Sequence, residues 1–171
     1  IKHGWSKLFD VDILDAEGPD LELPIPNGKR IQKNLVGKDI KNYDSMLVLS
    51  HFKGHPMGGF GGALKQLSIG CASSAGKANI HGAGKPEEMW TTEQNAFLES
   101  MADAAESVVK LFDGKIVYIN VMKNMSVDCD CCAVAEDPCM KDIGILASLD
   151  PIAIDQACLD LVYASDDPGR D

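Results

Sequence analysis

Three short apolar runs, separated by segments with helical spacing, limit the folds open to this chain more than any other feature. The runs read "SMLVLSHF", "KIVYINVM" and "DIGILAS". Each has the length of a strand, and a continuous apolar run is typical of a strand buried on both faces. Helical patterns precede the second run and follow the third. This order predicts an α/β fold, with a mixed or mostly parallel sheet flanked by helices.

The strongest helical pattern extends from Thr91 to Phe112. Thr91 and Gln94 have the spacing of a capping box, and Gly114 is suited to the position just past the helix end. A single apolar stripe at helical spacing is predicted to face the core. Its members are Phe97, Met101, Ala104, Ala105, Val108 and Phe112.

A second long helix is predicted in "DPIAIDQACLDLVY". Asp150 is suited to its N-cap and Pro151 to its first turn, and Cys158 is expected in the core. Between the strands, "ALKQLSIG" predicts a short helix, whereas "KGHPMGGFGG" and "CASSAGKANIHGAGKP" are predicted to be irregular loops. Near the start, "PDLELPIPNGKR" predicts an edge strand, and "RIQKNL" a second short strand.

Charge and composition exclude some classes of partner. The 171 residues include 16 basic and 26 acidic side chains, so the net charge is −10. A polyanion would be repelled, and no nucleic-acid partner is expected, although lysines such as Lys53, Lys65 and Lys77 can hold a small anion. No apolar run reaches the roughly 20 residues of a membrane helix, so no membrane partner is expected either.

The length of the chain and its first residues indicate its domain organisation. Residues 1–171 are predicted to form a single domain, and the opening "IKHGWSKLFD" lacks both Met and the apolar region of a signal peptide. We expect these residues to be the C-terminal part of a longer chain. The cysteines crowd into one loop instead of spreading as a disulfide framework would, which favours a cytoplasmic location. The oligomeric state is left open.

Polar residues follow each apolar run. If the three strands are parallel, their carboxyl ends share one edge of the sheet, where ligands bind in open α/β sheets. The residues concerned are Ser50, His51, Lys53 and His55 after the first run, Lys123 and Asn124 after the second, and Ser148 and Asp150 after the third. His51, Lys53 and His55 are therefore candidate catalytic residues. Either histidine would bind a metal or a carboxylate, or transfer a proton.

A glycine-rich segment precedes the short predicted helix. Gly58, Gly59, Gly61 and Gly62 with Lys65 suggest a cradle for a small anion, built from backbone amides and one ammonium group. Gln66 stands where a Walker A motif has Ser or Thr, so this is not a P-loop. The alternative is a tight connection whose glycines adopt positive φ angles.

The segment "VDCDCCAVAEDPC" holds four cysteines, Cys129, Cys131, Cys132 and Cys139. Thiolates bind soft metals, but this spacing matches neither zinc ribbons nor ferredoxins. In an extended segment Cys129 and Cys131 point the same way, so they are the favoured central pair. Metal or cluster ligation, redox-active thiols and structural thiols all remain open for the four.

Two long stretches of the sequence resemble a known family. "SHFKGHPMGGFGGALKQLSIGCASSAGK", and "VDCDC" followed by "DIGILASLDPIAIDQACLDLV", are similar to the iron–sulfur-associated domain of unknown function 362, often labelled "Fe–S center protein". The resemblance implies an α/β domain in which the "HFKGH", "GFGGALK" and "CDC" segments form one site. By the resemblance that site includes His51, Lys53, His55, Lys65, Cys71, Cys129, Cys131, Asp150 and Asp155.

The chain departs from the family pattern in two respects. Many members carry a ferredoxin-like insertion after the segment that matches "GCASSAGK", and this chain lacks it. Members also begin with an upstream strand and helix. An iron–sulfur cluster, or a zinc or iron ion, would therefore depend on the cysteine loop itself.

Three functional hypotheses follow from these residues. The leading one is a metal- or iron–sulfur-binding protein of redox type, with a basic glycine-rich loop that binds a small anionic ligand beside the cysteines. The second is a cluster-free enzyme acting on a small molecule that carries a phosphate or a carboxylate. The third is a partner-binding subunit with structural cysteines. The sequence leaves open whether the protein is an enzyme.

Overall fold

A computed structural model describes residues 4–16 and 20–170 of the chain, so residues 1–3, 17–19 and 171 of the predicted domain lie outside it. The strands are β1 (Asp20–Pro24), β2 (Lys33–Gly37), β3 (Met46–His51), β4 (Lys53–His55), β5 (Gly59–Gly61), β6 (Ile116–Met122) and β7 (Gly144–Ser148). The α-helices are α1 (Ala63–Lys65), α2 (Ser74–His81), α3 (Gln94–Phe112) and α4 (Pro151–Ala164). A π-helical turn, Gln66–Gly70, continues α1. The predicted α/β fold class is confirmed.

The central sheet is mixed, with strand order β3–β6–β7. β3 and β6 are parallel, whereas β7 is antiparallel to β6, so that Ser148 lies opposite Tyr118 and Gly144 opposite Met122. Ser148 and Asp150 therefore lie at the far end of the sheet from His51. The expectation that all three strands end at one edge is wrong for β7, because an apolar run carries no information about strand direction.

The sheet buries one of its faces within the described residues. On that face Val48, Ile116 and Tyr118 pack against residues of α3 and α4. Alternate residues point the other way and stay largely exposed, as Leu49 and Ile145 do at 62% and 69%. Burial on both faces, expected from the continuous apolar runs, is thus wrong for this part of the chain, because the helices lie on one side.

Two small antiparallel pairs flank the sheet. β1 pairs with β2, in the region where two short strands are predicted, and β4 pairs with β5. The second pair corrects the prediction that "KGHPMGGFGG" is irregular. It forms a tight hairpin, in which Gly59 has the positive φ of 75° that favours glycine.

Helix α2 corrects a second loop prediction. The segment "CASSAGKANIHGAGKP" contains a helix capped by Ser73, whose Oγ accepts a hydrogen bond from the Gly76 amide at 3.1 Å. Glycine at 76 reflects close packing instead of a flexible loop, because a Cβ there would lie 2.0 Å from the Leu35 carbonyl oxygen. Composition alone does not separate these two uses of glycine.

Helix α3 has the predicted core face but a different start. Phe97, Ala104, Ala105, Val108 and Phe112 are buried, and Met101 packs beside them. The N-cap is Glu93, whose carboxylate accepts from the Ala96 amide, so the capping box of Thr91 and Gln94 is wrong. The left-handed residue that ends the helix is Asp113, followed by Gly114, also at positive φ. Across residues 4–16 and 20–170, the helices are all too short or too polar to traverse a bilayer.

Helix α4 begins as predicted, with Asp150 at the N-cap and Pro151 next. The Asp150 carboxylate accepts hydrogen bonds from the amides of Ile152 and Ala153 at 2.8 and 2.9 Å. We expect Asp150→Ala to lower the free energy of unfolding by about 1 kcal/mol, measured by urea denaturation. Asp150→Asn is the matched control, since asparagine caps as well as aspartate, and equal losses in both variants would contradict the capping role.

Candidate functional site

A carboxylate in the cysteine loop joins the end of β3 to the start of β4. Asp130 accepts hydrogen bonds from His51 Nδ1 at 2.9 Å and lies 2.8 Å from Lys53 Nζ. Burial alone would raise the pKa of Asp130, but the hydrogen bonds from Lys53 and His51 outweigh it and hold that pKa below the ordinary value. The structure thus brings the "HFK" and "CDC" segments into one site, at the carboxyl end of β3.

Beside Asp130, two thiols and an ammonium group form a compact cluster. Cys131 Sγ and Lys65 Nζ each lie 3.0 Å from Cys129 Sγ and donate to it. Burial opposes ionisation of Cys129, but these two hydrogen bonds outweigh it and lower the pKa of Cys129. The hydrogen bond to Cys129 raises the pKa of Cys131, which is exposed to solvent. The Cys131 thiol thus donates a hydrogen bond to Cys129, an arrangement that favours the thiolate form of Cys129.

A cavity of about 310 Å³ opens onto this cluster. Both Cys129 and Cys131 line it, together with three lysines, Lys53, Lys65 and Lys77. The Lys77 ammonium also pairs with Asp15 at 3.1 Å. Three of the charged side chains that line the cavity are lysines and one is a carboxylate, Asp130, so the lining stays cationic even when a Cys129 thiolate offsets one lysine, in a protein whose net charge is −10. The cavity therefore suits a small anion.

The start of α1 does not offer its amides to a ligand. The Ala63 and Leu64 amides donate to the carboxylate of Asp155 at 2.8 and 2.9 Å, and Asn120 Nδ2 donates to the same group at 2.7 Å. Asp155 is 2% exposed, and burial raises its pKa despite these hydrogen bonds. Glycine is required at 62, because a Cβ there would lie 2.4 Å from Asp155 Oδ1.

The predicted anion cradle is therefore filled by the protein itself. Of its glycines, Gly61 and Gly62 line the cationic cavity, and Gly58 donates its amide to His55 Nδ1 at 2.9 Å. Gly59 lies in the hairpin and lines a neighbouring cavity. Anion binding at this loop stays a prediction, and the side chain of Lys65 is the group left for it, since the amides of Ala63 and Leu64 are bonded to Asp155.

Both candidate catalytic histidines are held by protein groups. The ring nitrogens of His51 contact Asp130 and the Lys123 carbonyl oxygen. His55 Nδ1 accepts from the amides of Met57 and Gly58. Burial, and then the positive charge of Lys65, lower the pKa of His55 to about 4, so its ring is neutral near pH 7. These contacts hold both rings in fixed orientations, and proton transfer by either stays a prediction.

The remaining cysteines lie elsewhere. Cys132 is exposed, and the Cys139 thiol donates to the Met125 carbonyl at 3.5 Å. Cys71 belongs to the main core, where burial raises its pKa to about 11. Cys158 is buried as predicted. Asp150, included in the site by resemblance, lies at the other end of the sheet, whereas Asp155 is at the base of α1.

The positions of the cysteines show whether the predicted metal ligands are close enough together to share one ion. Within residues 4–16 and 20–170, no three side chains of the His, Cys, Asp or Glu type are grouped so as to hold a metal ion. The third group beside Cys129 and Cys131 is the ammonium of Lys65, which repels a cation. The four cysteines do not fit a cluster or a zinc ion bound by four thiolates, and a metal-ligand role for them stays a prediction without a matching geometry.

Sequence reasoning missed two contributors. The sequence analysis does not identify Asp130. A carboxylate between the two cysteines of "CDC", in a chain that also has a motif with two histidines and a lysine, is a signal that could have indicated it. Asn120 was also missed, since an asparagine within an apolar strand gives no indication of the buried carboxylate that it contacts.

Comparison with known proteins identifies the family. A family model described as "Domain of unknown function (DUF362)" matches residues 2–160. Neither the curated proteins nor the solved structures include a match to the chain. Because the family model covers most of the chain, the protein belongs to the DUF362 family.

Proposed function

We propose that this protein is a redox-type protein whose reactive group is the dithiol of Cys129 and Cys131, next to a cavity that binds a small anionic ligand. The observation that supports the proposal is the position of Cys129 Sγ, 3.0 Å from both Lys65 Nζ and Cys131 Sγ. A thiolate is the nucleophilic form of cysteine, and a neighbouring cation favours it. Cys131 is near enough to act as the second thiol.

The chemistry of such a pair is thiol–disulfide exchange. The Cys129 thiolate attacks one sulfur of a small anionic disulfide, whose S–S bond breaks, and the leaving thiolate takes the proton of Cys131. Cys131 then attacks Cys129 Sγ, which breaks the mixed disulfide and releases the second thiolate, protonated by water. The two cysteines are oxidised to one disulfide, and the substrate is reduced to two thiols.

The lysines have separate roles in this scheme. Lys65 stabilises the Cys129 thiolate, while Lys53, which is buried and fixed by Asp130, keeps the loop in place. All three cavity lysines attract the negative charge of the ligand. Free thiols are stable in a reducing compartment, so the proposal includes a cytoplasmic location.

A redox titration tests the proposal. We expect equilibration with oxidised and reduced glutathione, followed by peptide mass spectrometry, to find one intramolecular disulfide between Cys129 and Cys131. Cys131→Ser should instead accumulate a mixed disulfide with glutathione at Cys129, because the second thiol is missing. Cys129→Ser should prevent oxidation of the pair.

Two matched controls accompany the titration. Cys132→Ser and Cys139→Ser remove cysteines of the same loop that lie outside the pair, and they should oxidise as the wild type does. Oxidation first at Cys132 or Cys139 would contradict the proposal. The proposal would also be contradicted if the anaerobically purified protein bound iron and sulfide in stoichiometric amounts and lost them in both Cys129→Ser and Cys132→Ser. That result would support the cluster hypothesis instead.

A further inference from the structure

A second cavity, with a volume of about 250 Å³, lies beside the hairpin of β4 and β5. The rings of Phe52 and Phe60 stack in its wall, with centroids 5.5 Å apart. Apolar residues of α4 and of the segments that flank the cysteines complete the walls: Met125, Val127, Met140, Leu159 and Val162. The cavity is thus mainly apolar, with aromatic rings on one side, and such a lining is typical of a small-molecule site.

Strand β4 separates this cavity from the cationic one. The Gly54 amide donates to the Ser126 carbonyl at 2.8 Å, and a Cβ at Gly54 would lie 2.7 Å from Val127 Cα, so the strand packs directly on the chain before Cys129. Along its other edge the strand is hydrogen-bonded to β5. The apolar cavity is therefore a site of its own, and a ligand in it does not reach the anion site of the proposed function.

The apolar cavity is lined by both ends of the cysteine loop, residues 125–140. Met125 begins this loop and Met140 ends it, and both residues line the cavity. The Cys139 amide donates to the Met125 carbonyl at 2.9 Å, which ties the two ends together. A Cβ at Gly169 would lie 1.8 Å from the Cys139 carbonyl oxygen, so the last turn of the chain packs on the same point. Residues 130–139 are exposed, so the position of the loop depends on these ends and on the contacts of Asp130.

The charged groups that line the apolar cavity already have protein partners. Lys53 Nζ lies 2.8 Å from the Asp130 carboxylate, and the guanidinium of Arg170 donates to two backbone carbonyls at the end of α4. His55 accepts two amide hydrogen bonds at Nδ1, and its pKa of about 4 leaves the ring neutral near pH 7. A carboxylate placed here would lose its hydration among apolar walls whose cations are already bound. The cavity therefore suits an uncharged ligand.

We propose that the apolar cavity binds a small, uncharged molecule with a single aromatic ring, and that the bound molecule holds the two ends of the cysteine loop together. An apolar cavity of about 150 Å³ is sufficient to bind benzene, so this one accommodates a substituted ring. The stacked rings of Phe52 and Phe60 offer it an aromatic wall. Because the ligand contacts Met125 and Met140 together, it binds only while the loop ends are closed, and by linkage it opposes their opening. The inference goes beyond the redox proposal and does not depend on it.

Methionine methyl NMR of the wild-type protein locates the ligand. Benzyl alcohol, the probe, should shift the methyl signals of Met125 and Met140 along one common saturation curve. Met46 is the internal control, because it lines a hollow at the other end of the sheet. Benzoate has the same ring with a carboxylate in place of the hydroxymethyl group, and it should bind about threefold more weakly. Larger shifts at Met46 than at Met125, or equal affinity for benzoate, would overturn the inference.

A cavity-filling variant gives a second readout. Val162→Phe adds a ring to the wall of the cavity and should weaken the binding of benzyl alcohol by about tenfold. Val109→Phe is the matched control, because it makes the same change at a half-buried position of α3 beside a different cavity. That variant should keep the wild-type affinity. Equal losses in the two variants would place the binding elsewhere and overturn the inference, and the wild-type titration decides the matter if Val162→Phe does not fold.

Amide hydrogen exchange of the wild-type protein tests the effect on the loop. The amides of Gly54 and Cys139 donate to carbonyls of the loop and report on whether its ends are closed. With benzyl alcohol at ten times its dissociation constant, both amides should exchange about tenfold more slowly, because the ligand must leave before the ends open. The Met46 amide, hydrogen-bonded at the other end of the sheet, should keep its rate. Binding at Met125 with unchanged exchange at Cys139 would overturn the inference.

Discussion

Replacing Asp155 by Ala should lower the free energy of unfolding by about 3 kcal/mol, because three buried hydrogen-bond donors lose their acceptor together. The donors are the amides of Ala63 and Leu64 and the side chain of Asn120. Asp155 is 2% exposed, so water does not readily replace the carboxylate. Urea denaturation measures the loss, provided that the slope of the transition stays that of the wild type.

The matched control for this variant is Asp160→Ala. Asp160 lies one turn further along α4, is exposed, and accepts a hydrogen bond from Gln156. Its replacement should change stability by no more than about 0.5 kcal/mol. Similar losses in both variants would mean that the Asp155 contacts contribute little.

Asp155 also links the core to the proposed chemistry. It fixes the start of α1, and Lys65 is the last residue of that helix. If Asp155→Ala frees the start of the helix, Lys65 no longer faces Cys129 in one orientation, and the Cys129 thiol should ionise at higher pH. A variant that loses stability but keeps the ionisation of Cys129 would assign Asp155 to the core alone.

The sequence predicted those elements whose pattern reflects burial. The stripe of α3 and the cap of α4 depend on local spacing, and both are present in the structure. The direction of β7 could not be predicted, because an apolar run reads the same in either orientation. The hairpin of β4 and β5 could not be predicted because its segment is rich in glycine. Glycines occur in tight turns and at close packing contacts as well as in flexible loops.

For the site, the sequence indicated the segments but not their contacts. The structure brings together Lys53, Lys65, Cys129 and Cys131. That Lys65 faces a thiol could not be foreseen, because the two are 64 residues apart and meet through the packing of α1 on α4 and the sheet. The glycine-rich loop suggested a ligand at the helix start, yet the ligand of those amides is Asp155, from the same chain.

Replacing Lys65 by Met should slow alkylation of Cys129 by iodoacetamide at pH 7 by about tenfold, because methionine keeps most of the length of the side chain but removes the charge that stabilises the thiolate. Lys65 Nζ lies 3.0 Å from Cys129 Sγ, and its hydrogen bond helps to lower the pKa of Cys129. The pH–rate profile, followed at the Cys129 peptide by mass spectrometry, should move to higher pH in the variant. The thiolate that remains is more nucleophilic, which offsets part of the loss.

Lys77→Met is the matched control, because Lys77 lines the same cavity but pairs with Asp15 instead of a thiol. Iodoacetamide is neutral, so the loss of a distant charge should not change its local concentration, and this variant should keep the wild-type profile. An unchanged profile in Lys65→Met would contradict the thiolate assignment on which the redox proposal rests. Equal shifts in the two variants would assign the effect to the general positive potential of the cavity, and the contact between Lys65 and Cys129 would then have no special part in the chemistry.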